Sequence, residues 1–246
     1  MAKKRRAFDV IYEDNHLIIV NKSSGVLVQG DATGDTPLVE LVRAYIREKY
    51  DKPGNVFCGV IHRIDRPVSG LVCFARTSKG LERMNRLLRD KKLFKTYWAV
   101  TKRRPKEESG RLVHWIKKNT EKNVVKAYDV EVEGAQRAEL TYKVMGRLND
   151  HFLIEVHPIT GRPHQIRSQL AAVGCPIRGD LKYGFSKPNK DASINLHARR
   201  LRFEHPIKKE AMLFVGGLPN DEFWEQFLTL EKMNDKNIKE LTKRDA

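Results

Sequence analysis

The chain has little of what marks several protein classes. Its three cysteines, Cys58, Cys73 and Cys175, are too few and too scattered for a disulfide framework or a zinc site, and buried thiols are expected. No stretch approaches the roughly eighteen consecutive apolar residues needed to cross a bilayer. The opening MAKKRRAFDV has basic residues but no apolar segment behind them, so it is no secretory signal, and the expected location is cytoplasmic. The G-x-G-x-x-G, Walker, G-x-S-x-G, S-x-x-K and H-E-x-x-H patterns are all missing. No metal and no cofactor is therefore expected, and the chemistry must come from ordinary side chains. Internal repeats and linkers rich in proline, glycine or serine are absent as well, which points to one compact domain.

Acidic residues are the minority: 47 Lys and Arg stand against 31 Asp and Glu, a net charge of +16. Such self-repulsion implies a polyanionic partner. The excess is not a tail, because Arg76 to Lys106 carries twelve bases opposed only by Glu82 and Asp90. That segment also alternates apolar residues as a folded element does. Nucleic acid fits better than membrane, since no amphipathic anchor is present.

The hydrophobic pattern predicts strands at 8–13 and 16–22, a Gly/Asp/Thr-rich loop from Gly25 to Gly34, and a helix from Asp35 or Thr36 to about Tyr50 with Pro37 in its first turn. Buried strands at 57–61 and 69–76 flank the loop HRIDRP. Ser78 is set to cap a helix bearing Leu81, Met84, Leu87 and Leu88 on one face. Strands follow near 93–101, 111–117, 124–132, 137–147 and 151–157, then a helix over 163–174 stopped by Gly174 and Pro176. Strands near 194–204 and 211–215 and a helix from about Asn220 to Met233 complete the order. Strands outnumber helices without alternating with them, so the expectation is an α+β fold on a large, mostly antiparallel mixed sheet with flanking helices. The domain is placed at 8–233, between a basic tail at 1–7 and a charged tail at 234–246.

Three segments carry candidate chemistry. Ile61-His62-Arg63-Ile64-Asp65-Arg66-Pro67-Val68-Ser69-Gly70 lodges one acid among three basic residues between apolar runs. Lys95-Thr96-Tyr97-Trp98 sets two aromatics in the basic segment, of which strand alternation makes one a core residue. Thr160-Gly161-Arg162-Pro163-His164-Gln165-Ile166-Arg167 gathers donors where a strand end meets a helix start, a place that favours anions. Read singly, a lone Asp in a loop such as Asp65 is better taken as a turn or cap residue paired with Arg63 or Arg66, and Arg167 reads as a surface arginine on a helix.

HRIDRPVSG resembles the signature H-R-[LI]-D-x-x-[TV/S]-S-G of the RluA family of pseudouridine synthases. LIIVNKSSGVLV (17–28), the K-x-Y element at 95–97, GRPHQIR (161–167) and NLHARRLRFEHP (195–206) follow in that family's order, and the likeness runs from about residue 8 to 230. The resemblance implies isomerisation of uridine in RNA, ribosomal or transfer, without a cofactor. It makes Asp65 the catalytic carboxylate, Tyr97 the aromatic of the uridine pocket, Arg167 the ionic partner of the carboxylate and Leu196 the apolar residue closing the pocket. Arg63 becomes the side chain that displaces the target base. Lys22, His62, Arg66, Arg162, His164 and Gln165 fall around the pocket or the RNA path. Two departures stand out: Val68 replaces a frequent threonine, and Val28-Gln29-Gly30 stands where relatives often carry Val-His-Pro. Family members with an additional RNA-binding module carry it ahead of the catalytic domain, and no room for one is expected here. A monomer without an obligate protein partner is the expected state.

The reaction suits these residues. Breaking the N1–C1′ bond puts positive character on the sugar, which an ionised carboxylate stabilises. Asp65 attacks the ribose or takes the C2′ proton; the sequence leaves both routes open, as it does a role for Tyr97 in removing the C5 proton. Two other readings fit the charge: a non-catalytic RNA-binding or ribosome-assembly factor, and an RNA base glycosylase that releases uracil.

Overall fold

A computed structural model describes residues 6–231. The basic tail is therefore described only from Arg6, while the tail at 234–246 and the predicted helix end at Met233 lie outside the described residues. Among the described residues eleven strands form one mixed sheet: β1 (Phe8–Glu13), β2 (Leu17–Lys22), β3 (Gly59–Val60), β4 (Ser69–Ala75), β5 (Phe94–Thr101), β6 (Ser109–Asn119), β7 (Val124–Tyr128), β8 (Gln136–Leu148), β9 (His151–Pro158), β10 (Leu196–Glu204) and β11 (Ala211–Val215). The order is β1-β2-β4-β10-β5-β9-β8-β6-β7, with β3 on β4 and β11 on β10. Four helices accompany it among the described residues: α1 (Leu38–Lys49), α2 (Ser78–Arg89), α3 (Gln165–Ala172) and α4 (Glu222–Glu225). The α+β expectation holds.

Three local expectations shift. Thr77, not Ser78, caps α2, its hydroxyl accepting from the Gly80 amide at 3.0 Å, because Ser78 is already helical. Pro37 takes the cap position of α1 instead of its first turn, its extended ψ of 159° preceding the helix. Tyr97 and Trp98 are both buried despite pointing to opposite faces, since β5 lies inside the sheet and is covered on both sides.

The chain divides into two compact units: Met1–Tyr97 with Lys190–Gly217, and Trp98–Asn189 with Leu218–Ala246. The first holds its core between β2, β4, β10 and α2, where Leu17, Ile19, Leu71, Cys73, Met84, Leu201 and Phe203 meet. β2 and β4 are buried almost throughout and read as continuous apolar runs. Their antiparallel register sets Lys22 opposite Gly70, and the parallel pairing of β4 with β10 sets Ser69 opposite His197. Gly70 has φ +115°, and a Cβ there would run into the Ala198 backbone, so only glycine allows this close strand approach. The second unit builds its cores from Trp98, Val100, Leu153, Trp224 and Phe227, and from Ile116, Val125 and Ala138.

Candidate active site

In the first unit the segment between β3 and β4 alternates sides: Ile61, His62 and Ile64 are buried, Arg63 and Arg66 are exposed, and Asp65 is half-buried between them. The Val68 amide donates to the Asp65 carbonyl at 3.0 Å and closes a turn. Both flanks of this turn are tied down. The Arg66 carbonyl accepts from the Gly25 amide at 2.8 Å, and Arg66 Nε donates to the Gly25 carbonyl at 3.0 Å. Arg66 also pairs with Asp35 at 2.6 Å, so its charge goes to the neighbouring loop. On the other side, the Ile194 amide donates to the Pro67 carbonyl at 3.2 Å. The sequence leaves Asp65 open as a turn residue, and the structure makes it one on a fixed frame.

Lys22 lies buried beside the Asp65 turn. It is 1% exposed, and its ammonium donates to the carbonyls of Ser23 (3.0 Å), Val26 (2.8 Å) and Arg66 (3.2 Å). Three donors meet three acceptors and tie the loop after β2 to the Asp65 turn. Burial lowers its pKa to about 7, with the Asp65 charge pulling the other way. Lys22→Met is expected to lower stability by about 2–4 kcal/mol, because buried carbonyls lose their donor. Denaturant unfolding measures this; a change under about 0.5 kcal/mol, the scale of an ordinary surface substitution, would sink it.

Tyr97 is buried, and burial followed by the Asp65 charge pushes its phenol up, well above the ordinary tyrosine value. A phenol so held keeps its proton and acts as a donor, which speaks against a role as base. Asp65 thus acts electrostatically on both Lys22 and Tyr97. Leu196 is buried at the start of β10.

His62 is placed inside the protein. Its Nε2 accepts from the Cys73 amide at 3.1 Å, which puts the ring proton on Nδ1, and burial lowers its pKa to about 3. His197, missed in the sequence, plays the matching part beyond the loop. Its Nδ1 lies 2.9 Å from the Ser69 hydroxyl, its pKa is likewise lowered by burial to about 3, and Arg199 beside it donates to the Gly216 carbonyl at 2.5 Å. A histidine in NLHARR gives no sequence signal of this, because its partner lies 128 residues away.

The second unit holds the other predicted residues. Arg167 is buried, and its guanidinium forks onto Asp180, Nε to Oδ2 at 2.7 Å and Nη2 to Oδ1 at 2.9 Å. It also lies 4.9 Å from the centre of the Tyr183 ring, whose hydroxyl is 2.8 Å from His164 Nδ1. Asp180 and Tyr183 went unseen in the sequence; the acid in IRGDLKYG is the one available hint. His164 caps α3 in the left-handed region at φ 49°. Gln165 is a buried strut: it donates to the Glu139 carbonyl at 2.9 Å and accepts from the Thr160 hydroxyl at 2.7 Å and the Arg162 amide at 3.0 Å. Arg162 itself is exposed.

Comparison with known proteins places this arrangement. The family described as RNA pseudouridylate synthase matches residues 16–172, which include the Asp65 turn, Tyr97 and Arg167. The chain belongs to this family. The RluA resemblance of HRIDRPVSG is thereby borne out, and the chain is an RNA pseudouridine synthase, an isomerase. It is 30% identical to the tRNA pseudouridine synthase C of Vibrio parahaemolyticus, over 94% of this chain and 98% of that protein. It is 35% identical to the ribosomal large subunit pseudouridine synthase C of Rickettsia conorii, over 75% of this chain but only 59% of the relative. The chain likewise spans 65% of the Haemophilus ducreyi protein of that name, to which it is 31% identical over 85% of its own length. The solved structure of human RNA Pseudouridylate Synthase Domain Containing 4 shares the fold, with a TM-score of 0.73 at 23% identity over 90% of this chain and 92% of the other. Among the described residues no helix is long and apolar enough to cross a membrane.

Proposed function

We propose that the chain converts specific uridines of structured ribosomal or transfer RNA to pseudouridine in the cytoplasm, with Asp65 as the catalytic carboxylate acting on a flipped-out uridine. The observation that carries this reading is the setting of Asp65: a half-buried acid on a turn fixed at both flanks, beside a buried ammonium and a phenol that keeps its proton. A preorganised carboxylate of this kind suits the positive character that develops at C1′ as the N1–C1′ bond breaks. Two routes use it, attack on C1′ or removal of the C2′ proton. In either, C5 then bonds to C1′, the C5 proton leaves and N1 gains one, so the product is an isomer. Tyr97 supplies a flat apolar wall, and its hydroxyl is a donor to the base.

Arg63, exposed two residues before Asp65, is the side chain proposed to occupy the place of the displaced base. Arg167 is proposed, on the resemblance, to support the catalytic carboxylate; a guanidinium already fixed by Asp180 on two nitrogens is a rigid donor for that task. Unmodified ribosomal and transfer RNA carrying tritium at uracil C5 tests the reading. The expected result is tritium release with pseudouridine in the nucleoside digest. Release of free uracil would make the chain a glycosylase, and tight binding without release a non-catalytic factor.

A further inference from the structure

On the first unit, β10 and β11 present an outer face that the proposed chemistry does not use. Their register pairs Arg200 with Val215, Arg202 with Leu213 and Glu204 with Ala211, all on the side opposite the core residues Leu201, Phe203 and Phe214. Leu213 is 60% and Val215 45% exposed, and Phe94, where β5 begins, is 51% exposed. The Arg202 guanidinium lies over the Phe94 ring, 4.6 Å from its centre. Exposed Arg89, Lys91 and Lys92 come just before Phe94 in the chain. Of the nearby acids, Glu204 is paired with Lys209 at 3.4 Å.

Single exposed apolar residues are ordinary; a phenylalanine stacked by arginine and bordered by aliphatic side chains and bases is a composite surface. Protein interfaces are depleted in lysine at their cores, whereas sites for unpaired nucleic acid combine cations with an aromatic platform. We infer that Phe94, Arg202, Leu213 and Val215 form a stacking platform for an unpaired nucleotide of the RNA substrate, with Arg200, Lys91 and Lys92 taking its phosphates. The inference rests on the reading of the chain as an enzyme of RNA and adds a second contact to it, apart from the target uridine. The Arg202–Phe94 pair offers one broad flat face to a base. The flanking cations hold the backbone without reading sequence.

Binding of the full chain to an unstructured oligouridine and to a blunt RNA duplex tests this. Phe94→Ala is expected to weaken oligouridine binding roughly tenfold, with duplex binding held within about twofold. Lys92→Ala, which removes a phosphate contact and leaves the platform, should lower the salt slope by about one. Phe94→Trp keeps a stacking ring, so it should bind as wild type does, with its added indole emission quenched by oligouridine. The signal is read as a difference from the protein with its three native tryptophans. Unchanged oligouridine affinity in Phe94→Ala, or unquenched emission in Phe94→Trp, overturns the proposal. So does a Phe94→Ala protein that changes its sedimentation but not its RNA affinity, which would make the patch a protein contact. These readouts are binding equilibria, so failure of the wild type to form pseudouridine would remove the functional reading without deciding them.

Discussion

Asp65→Asn is expected to lower pseudouridine formation by at least roughly four orders of magnitude, the scale of about 5.5 kcal/mol at the barrier. The amide has the shape of the acid and keeps the turn, whose closing bond is made by the Asp65 carbonyl and not its side chain. What it loses is the charge. An amide neither stabilises a sugar cation, nor attacks C1′, nor takes a C2′ proton, so both routes fail together. RNA affinity should move by no more than a few-fold, because one acid is lost from a chain of net charge +16 and the cations that meet phosphate are untouched. Tritium release and filter binding on the same protein separate the two effects. Turnover within tenfold of wild type would remove Asp65 from the chemistry. A large loss of affinity alongside lost turnover would instead mean that the turn had collapsed.

What the sequence conveys about this site follows the physics of locality. Continuous apolar runs mark β2 and β4 and period-two alternation marks β6 to β9, and the HRIDRPVSG loop falls between strands because Gly70 and the apolar runs around it are local signals. Asp65, Tyr97 and Arg167 came from motif order, not from any property of the residues taken singly. Side-chain direction was not legible. In sequence Lys22 looks like any other basic residue, yet it is 1% exposed and bonded to three carbonyls, because β2 is covered on both faces. His62 looks like part of a basic cluster and is a buried acceptor for the Cys73 amide. Partners far along the chain were invisible for the same reason. Ser69 with His197, and Arg167 with Asp180, are made by register and by a turn, and neither leaves a spacing rule. Thr77 and Ser78 are both capping types side by side, and only the backbone angles decide between them.

The two buried imidazoles also fix how the first unit responds to acid. Burial lowers the pKa of both His62 and His197 to about 3, from the ordinary histidine value of 6.5. Between those values the unfolded chain binds a proton at each site and the folded chain does not, so stability must fall as pH drops through this window. The linkage slope is about 1.4 kcal/mol per pH unit for each imidazole. At pH 4.5 the pair together would have lost about 5 kcal/mol, which approaches the whole stability of many domains. Neighbouring groups leave the sign unchanged. Lys95 beside His62 and Arg199 beside His197 both oppose protonation, and the His197 Nε2 contact with the Gly216 carbonyl at 3.4 Å only partly offsets this. Lys22, lowered to about 7, acts only above neutral pH. The two rings hold the chain on either side of the Asp65 turn, one through the Cys73 amide and one through the Ser69 hydroxyl, so acid should release the Asp65 turn with the fold. Denaturant unfolding at pH 7 and pH 4.5 measures the loss directly. In a protein carrying His62→Asn and His197→Asn the difference between the two pH values should shrink by most of that amount, whatever the absolute stability of the variant. An undiminished difference would show that other groups drive the acid transition.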